Sequence, residues 1–214
     1  TVAHEYDRIG AFYETLEREI DLVADALGPH AGAAHLHFGG GSPNALSPAH
    51  FIRLARRLSE RLALRPGAEV AVELDPGLLS EPFVDALAEA GVTRASLGVQ
   101  TFDRTVQEKV NRIQPFEQVA AAVARLRKNG IAALNFDLTY GLPAQTPENV
   151  AESVALALQL RPDRVAVFVG DRGHDAGQRQ GAGTRLGRHR TGQRRNHVGA
   201  GLGLPPGVDD GAAA

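Results

Sequence analysis

Residues that could bind a ligand stand at the ends of short apolar runs in this sequence. The first run ends in His35 and His37 and continues into the glycine-rich segment GGGSP at 39–43, and the next run ends in Glu73 and Asp75. Consecutive glycines let a backbone approach a ligand closely and present its N–H and C=O groups to it. Because one glycine suffices for most turns, we expect the glycine triplet to be a binding loop rather than a tight turn alone.

The later runs carry polar groups of the same kind. Gln100 follows the third run, Asn111 and Arg112 lie in the next predicted helix, and Asn135 and Asp137 interrupt the fourth run. A carboxylate among apolar neighbours, such as Asp137, needs a cationic or hydrogen-bonding partner. That partner is expected to be a ligand or a cationic side chain.

Glu73 and Asp75 lie on one face of their strand and are expected to differ in role. Glu73 stands between Val72 and Leu74, so we expect it to be the more buried of the two and the better functional candidate, with an internal salt bridge as the alternative. Asp75 precedes Pro76 and is expected to cap a loop.

The two histidines suggest an alternative chemistry. His35 and His37 share one strand face and, with Asp137, could hold a metal ion as in some barrel hydrolases. The favoured interpretation is that one or both of them are packed, hydrogen-bonded histidines.

Alternating helices and strands must position these groups. Helical periodicity and caps predict helices, and short apolar runs predict strands. The helices are expected at about 5–28, 48–64, 80–90, 103–111, 116–129 and 147–160, and the strands at 34–38, 69–74, 94–99, 132–139 and 164–169. This order indicates a parallel sheet buried on both faces, in which the polar strand ends meet at one rim. Five such units suit a partial barrel or a doubly wound sheet.

Composition narrows the class of protein. The 214 residues carry a net charge of −2 and contain no Cys, Met or Trp. The length suits one domain, or two at most, and the charge argues against a nucleic-acid partner. Without cysteine there is no disulfide, thiolate metal site or cysteine nucleophile. No apolar run reaches the ~20 residues of a membrane span, and the first residues form no apolar leader, so the expected location is the cytoplasm.

The pattern of helices and strands ends near Val169. Residues 170–214 hold 12 of the 24 glycines and seven arginines and show no periodicity. We expect a disordered tail or, as the favoured interpretation, a stretch of gene read out of frame. The predicted domains are therefore 1–169 and 170–214.

The motifs in combination resemble a known family. They are HFGGGSP, VELDP, SLGVQTFD, VQEKVNRIQ, NFDLTYGLPAQT and DRVAVF, in this order between residues 37 and 168. Over about residues 5–169 the chain resembles radical S-adenosylmethionine (SAM) enzymes. Within them it is most similar to the oxygen-independent coproporphyrinogen III oxidases of haem biosynthesis. A haem chaperone that shares the fold is the nearest alternative.

The resemblance implies a fold, a reaction and two cofactors. The fold would be an α/β partial (β/α)6 radical SAM barrel. The enzyme, an oxidoreductase, would use SAM and a 4Fe-4S cluster to convert two propionates of coproporphyrinogen III into vinyl groups, giving protoporphyrinogen IX. An electron donor would be its partner, and a monomer without membrane or nucleic-acid contacts is expected.

The resemblance also implies cofactor-binding residues. Gly40 and Glu73 match positions that hold the cluster-bound SAM. Those that match positions around a second SAM are Gly41, Ser42, Gln100, Arg112 and Asp137. It assigns no catalytic or metal-binding side chain to this chain.

The sequence departs from the family in one decisive respect. The Cys-x3-Cys-x2-Cys motif that holds the cluster is absent, as are the family's first strand and C-terminal part. We therefore expect this chain alone to be inactive and poorly soluble or molten. A haem chaperone, a non-catalytic remnant of the family and a metal hydrolase remain as alternatives.

Overall fold

A computed structural model describes residues 6–28 and 32–170 of the chain, and these form alternating helices and strands. The helices are α1 (Tyr6–Leu27), α2 (Pro48–Arg61), α3 (Glu81–Glu89), α4 (Arg104–Lys109), α5 (Phe116–Lys128) and α6 (Pro147–Gln159). The strands are β1 (His35–Phe38), β2 (Glu69–Leu74), β3 (Arg94–Gln100), β4 (Ala133–Tyr140) and β5 (Arg164–Val169). Every helix and strand predicted from the sequence is present, whereas the predictions for 171–214 lie outside the described residues.

The five strands form one open, parallel sheet in the order β1-β2-β3-β4-β5. A helical crossover joins each pair of consecutive strands, which is the connection that parallel pairing requires. A strand order that follows the chain is that of a (β/α) barrel rather than of a doubly wound sheet, whose order reverses. The described domain is therefore a partial barrel.

One face of the sheet packs against the helices and forms the core. Alternate strand residues such as Val72, Leu97 and Phe136 are fully buried there, together with Phe51 of α2 and Phe83 of α3. Because strand side chains alternate between faces, this leaves the intervening residues on the opposite face.

The expectation of burial on both faces is wrong for this sheet. The second face is polar, and His37, Glu73 and Asp137 on it are partly exposed. The parallel register brings these positions together on one face. His37 pairs with Ala71, two residues before Glu73, and Glu73 pairs with Ser96. Gly98, two residues after Ser96, pairs with Asp137. The sheet thus has an apolar face for folding and a polar face for binding.

Local capping follows the sequence signals. The Ser47 side chain accepts a hydrogen bond from the His50 amide at 3.2 Å, with Pro48 at the first helical position, which are the residue types preferred there. Two short 3-10 turns that were not predicted, Pro43–Ala45 and Pro76–Leu78, follow β1 and β2. Within the described residues, no helix has the length and apolarity needed to cross a bilayer.

Candidate functional site

An open cavity of about 270 Å³ lies at the carboxyl ends of the strands. All seven residues predicted to bind the cofactor line it: Gly40, Gly41, Ser42, Glu73, Gln100, Arg112 and Asp137. Leu74, Asp75, Ser96 and Gly98 complete the lining. The strand ends and the loops after β1 and α4 are thus brought to one place, as the topology requires.

The glycine loop after β1 forms one wall of the cavity. Gly40 has a φ of +104°, a backbone conformation that other residues rarely adopt. Gly39 is needed for a different reason, since a Cβ atom there would lie 3.1 Å from both the Glu73 carboxylate and His37 Nε2. A side chain at position 39 would therefore require Glu73 and His37 to shift.

Glu73 on β2 pairs with His37 on β1. His37 Nε2 lies 3.0 Å from Glu73 Oε1, and each side chain is 47% exposed. The expectation that Glu73 is more buried than Asp75 is wrong, because the Asp75 side chain is only 16% exposed. Both residues line the cavity, but the Asp75 carboxylate is enclosed by hydrogen-bond donors.

The structure does not bring the two histidines into a metal site. His35 is largely exposed, and its Nδ1 lies 3.9 Å from Glu69 Oε1, so it is not the packed histidine expected. Among the residues that the structure describes, no group of three His, Asp or Glu side chains is arranged to hold a metal ion. The described part of the chain therefore offers no ligand set for a hydrolase metal.

Asp75 caps its loop as predicted and also makes contacts that the sequence did not reveal. Its Oδ1 accepts hydrogen bonds from the Gly77 amide at 2.8 Å and from Gln114 Nε2 at 2.6 Å. Its Oδ2 lies 3.1 Å from Arg112 Nη2. No sequence signal indicated these partners, because they lie 37 and 39 residues further along the chain.

Arg112 stands in the loop between α4 and α5, which is held by a buried glutamine. The side chain of Gln107 donates hydrogen bonds to the carbonyl oxygens of Thr101 at 2.9 Å and Gln114 at 2.8 Å, and it accepts one from the Gln114 amide at 3.1 Å. Arg112 Nη2 also donates to the Gly98 carbonyl oxygen at 2.9 Å. The guanidinium group is thereby fixed at the edge of the cavity.

Gln100 reaches the cavity from a strained backbone. Its φ of +65° lies in the left-handed region, next to the shift in register between β3 and β4. Its Oε1 accepts a hydrogen bond from Thr139 Oγ1. Bulges and left-handed residues of this kind redirect a side chain, and they cluster at functional sites.

Asp137 lies deeper, on β4. Burial raises its pKa above the ordinary value of 3.8, and the nearby charge of Glu73 raises it further, while a hydrogen bond from Asn135 opposes both effects. Asn135 Nδ2 donates to Asp137 Oδ1 at 2.7 Å and to Ser96 Oγ at 3.3 Å. This carboxylate gains most from a ligand that carries a positive charge or a hydroxyl group.

The donor set fits one of the two implied cofactors. SAM carries cationic groups and ribose hydroxyls, which suit the carboxylates of Glu73 and Asp137 and the backbone of the glycine loop. It also carries a carboxylate, which suits Arg112. The buried Arg112 Nε has no hydrogen-bond partner among the described residues, so these residues do not use all the hydrogen-bond donors of the guanidinium group. The iron–sulfur cluster does not fit, because thiolates hold such clusters and the chain has no cysteine.

Comparisons with known proteins identify the family of the chain. The Radical SAM superfamily matches residues 3–157. The chain is 48% identical over 162 residues to the oxygen-independent coproporphyrinogen III oxidase of Bradyrhizobium diazoefficiens, covering 76% of this chain and 36% of the relative. It is 38% identical over 154 residues to the Helicobacter pylori J99 protein of the same name, which covers 72% of this chain and 34% of that relative.

Solved structures give the same result for the fold. The coproporphyrinogen III oxidase (HemN) of Escherichia coli superposes with a TM-score of 0.73 at 35% identity, over 78% of this chain and 38% of that one. The methyltransferase TsrM of Kitasatospora setae, at 23% identity and a TM-score of 0.54, shares the fold. The chain spans a little over a third of the length of its relatives from B. diazoefficiens and E. coli. On its sequence, its partial barrel and the match over residues 3–157, the chain belongs to the radical SAM superfamily.

Proposed function

We propose that this chain forms the SAM-binding part of an oxygen-independent coproporphyrinogen III oxidase, an oxidoreductase of haem biosynthesis. One observation carries the proposal: seven residues from five separate segments of the sequence line the same cavity. The relatives from B. diazoefficiens and H. pylori, at 48% and 38% identity, bear the name of that enzyme. Coproporphyrinogen III as substrate and an electron donor as partner belong to the proposal for the whole enzyme.

Each part of the cavity has a task in binding SAM. The backbone of Gly40 and Gly41 approaches the ligand, and Ser42 offers a hydroxyl group. Glu73, which with Gly40 matches the position of the cluster-bound SAM, suits an ammonium group or ribose hydroxyls. Asp137 and Arg112 match the position of a second SAM, where Asp137 suits an ammonium group or ribose hydroxyls and Arg112 suits the carboxylate. SAM supplies the radical with which this family oxidises its substrates. The chain has no cysteine, so we assign it the binding of SAM and no step on the cluster.

Binding measurements test this proposal directly. Calorimetric titration of the full chain with SAM should show binding, and Asp137→Ala or Glu73→Gln should weaken it about tenfold, because each removes a charged hydrogen-bonding partner. Asp85→Asn is the matched control, since Asp85 is exposed on α3 away from the cavity. Equal affinity in all four proteins, or no binding in any, would contradict the proposal.

The lack of cysteine favours a second candidate, a non-catalytic family member such as a haem chaperone. This candidate predicts a haem absorbance shift on titration of the chain with haem and no binding of SAM. The oxidase proposal predicts the opposite pattern. The two titrations on one preparation therefore distinguish the candidates.

A further inference from the structure

Asp75 connects three segments of the chain that meet at the cavity. Its carboxylate holds the Gly77 amide, the Gln114 amide group and the guanidinium group of Arg112 within 2.6–3.1 Å. Hydrogen bonds to a charged acceptor are stronger than those between neutral groups. A carboxylate with only 16% of its side chain exposed and three donors around it is a fixed point of the site.

The main chain of Asp75 holds the glycine loop as well. The buried Asn44 donates from Nδ2 to the Asp75 carbonyl oxygen at 2.8 Å and accepts from the Asp75 amide at 3.2 Å. Asn44 lies in the 3-10 turn that directly follows Ser42. The glycine loop and the Arg112 loop are therefore attached to the same residue from opposite sides.

Gly98 forms the other support of Arg112. Its carbonyl oxygen accepts from Arg112 Nη2 at 2.9 Å, and a Cβ atom at position 98 would lie 3.2 Å from that same nitrogen. Gly98 has no left-handed φ, so the need for glycine here comes from the space that Arg112 and Gln100 occupy, since the same Cβ atom would also lie 3.2 Å from Gln100 Nε2. Within the described part of the chain, the contacts of the Arg112 guanidinium group with Gly98 and Asp75 both involve Nη2, which leaves Nη1 for a ligand.

We propose that Asp75 is a positioning residue that, with Gly98, holds Arg112 in place to bind the carboxylate of SAM and couples its loop to the glycine loop. The proposal rests on the proposed function for the nature of the ligand. It assigns Asp75 a role through Arg112 rather than a contact with the ligand. It therefore predicts that Asp75 matters only for ligands that carry the group that Arg112 binds.

Ligand chemistry tests this role. In Asp75→Asn, the remaining Oδ1 still accepts from Gly77 and Gln114, but the ionic contact with Arg112 is lost. The affinity for SAM should fall about tenfold, while that for decarboxylated SAM should change less than about twofold, since that ligand lacks the carboxylate. In an Arg112→Gln background, Asp75→Asn should add nothing further. Equal losses for both ligands, or additive losses in the double variant, would overturn the proposal.

Hydrogen exchange provides a second readout that needs no ligand. Asp75→Asn and Gly98→Ala, which disturb Arg112 from two sides, should both accelerate amide exchange in 110–114, and Asp75→Asn should also do so in 42–46. Amides of the strands and those of an Asp85→Asn control should be unchanged. Exchange in both loops at the native rate would overturn the proposal. If the loops respond but the native chain binds no SAM, the proposed function fails and the positioning role stands.

Discussion

Asn135 donates a hydrogen bond to Asp137 across one pleat of β4, with 2.7 Å between Nδ2 and Oδ1. The two side chains share the polar face of the sheet because they are two residues apart on one strand. This hydrogen bond stabilises the charged form of Asp137, yet burial outweighs it and the pKa of Asp137 is raised. Ionisation of this carboxyl group therefore costs more free energy in the folded state than in the unfolded chain.

The first prediction concerns stability and pH. Folded Asp137 binds its proton more tightly than the unfolded chain does, so its ionisation destabilises the fold as pH rises above the ordinary value of 3.8. Asp137→Asn avoids this loss and still accepts from Asn135. Calorimetry should show a Tm about 2–4 °C above the native value at pH 7, equivalent to about 1 kcal/mol. The difference should shrink below pH 4 or so, where both states are protonated. A lower Tm at pH 7 would contradict the assignment.

The same substitution should weaken ligand binding. Because Asp137→Asn removes a negative charge from the cavity, affinity for the cationic SAM should fall about tenfold although the protein is more stable. In the native chain, affinity should decline as pH falls through the raised pKa of Asp137, and this pH dependence should be weaker in the variant. Titrations at several pH values measure both effects. A pH profile identical in the two proteins would show that Asp137 does not face the ligand.

The third prediction concerns the narrow gap beside Gly39. In Gly39→Ala, the new methyl group would lie 3.1 Å from the Glu73 carboxylate and from His37 Nε2, so the pair must move. We expect SAM affinity to fall by about tenfold, as for loss of a charged hydrogen bond. Gly10→Ala is the control, because position 10 on α1 has open space around it and alanine favours a helix by about 1 kcal/mol. Weakened binding in the control and not in Gly39→Ala would refute this explanation.

The sequence predicted the helices and strands because these depend on local patterns, whereas the seven cofactor-binding residues that line the cavity were implied by the family resemblance. Hydrophobic periodicity defined each element, and parallel topology placed the polar strand ends at one edge. The contacts of Asp75 with Arg112 and Gln114 could not be predicted, since they depend on how two distant loops fold against each other. The prediction that Glu73 is more buried than Asp75 was wrong for the same reason. Apolar neighbours in the sequence indicate a buried strand, but they do not indicate which face of that strand borders a cavity.

The fourth prediction concerns the buried amide of Gln107. Replacing it with leucine in Gln107→Leu leaves two carbonyl oxygens and one amide of the loop from Thr101 to Gln114 without their partner. Urea unfolding should show a loss of about 2–4 kcal/mol, since each buried unsatisfied group is costly. Gln159→Leu, at an exposed position at the end of α6, should change stability by about 0.5 kcal/mol or less. Similar losses in the two variants would mean that Gln107 does not anchor the loop.

The fifth prediction separates SAM binding from the cluster. Anaerobic incubation of the chain with iron and sulfide should give no cluster absorbance and no bound iron after gel filtration, because the chain has no cysteine. SAM binding should be the same before and after this treatment. Stoichiometric iron with a four-iron spectrum would overturn the assignment of SAM binding alone to this chain.

The central claim is that the cavity bounded by the glycine loop, Glu73, Arg112 and Asp137 binds SAM. A crystal structure of the chain with SAM tests it most directly. We expect ligand density in this cavity, with a SAM carboxylate at Arg112 and polar groups of bound SAM within hydrogen-bond distance of Glu73 or Asp137. An empty cavity at saturating SAM, or SAM bound elsewhere on the domain, would contradict it.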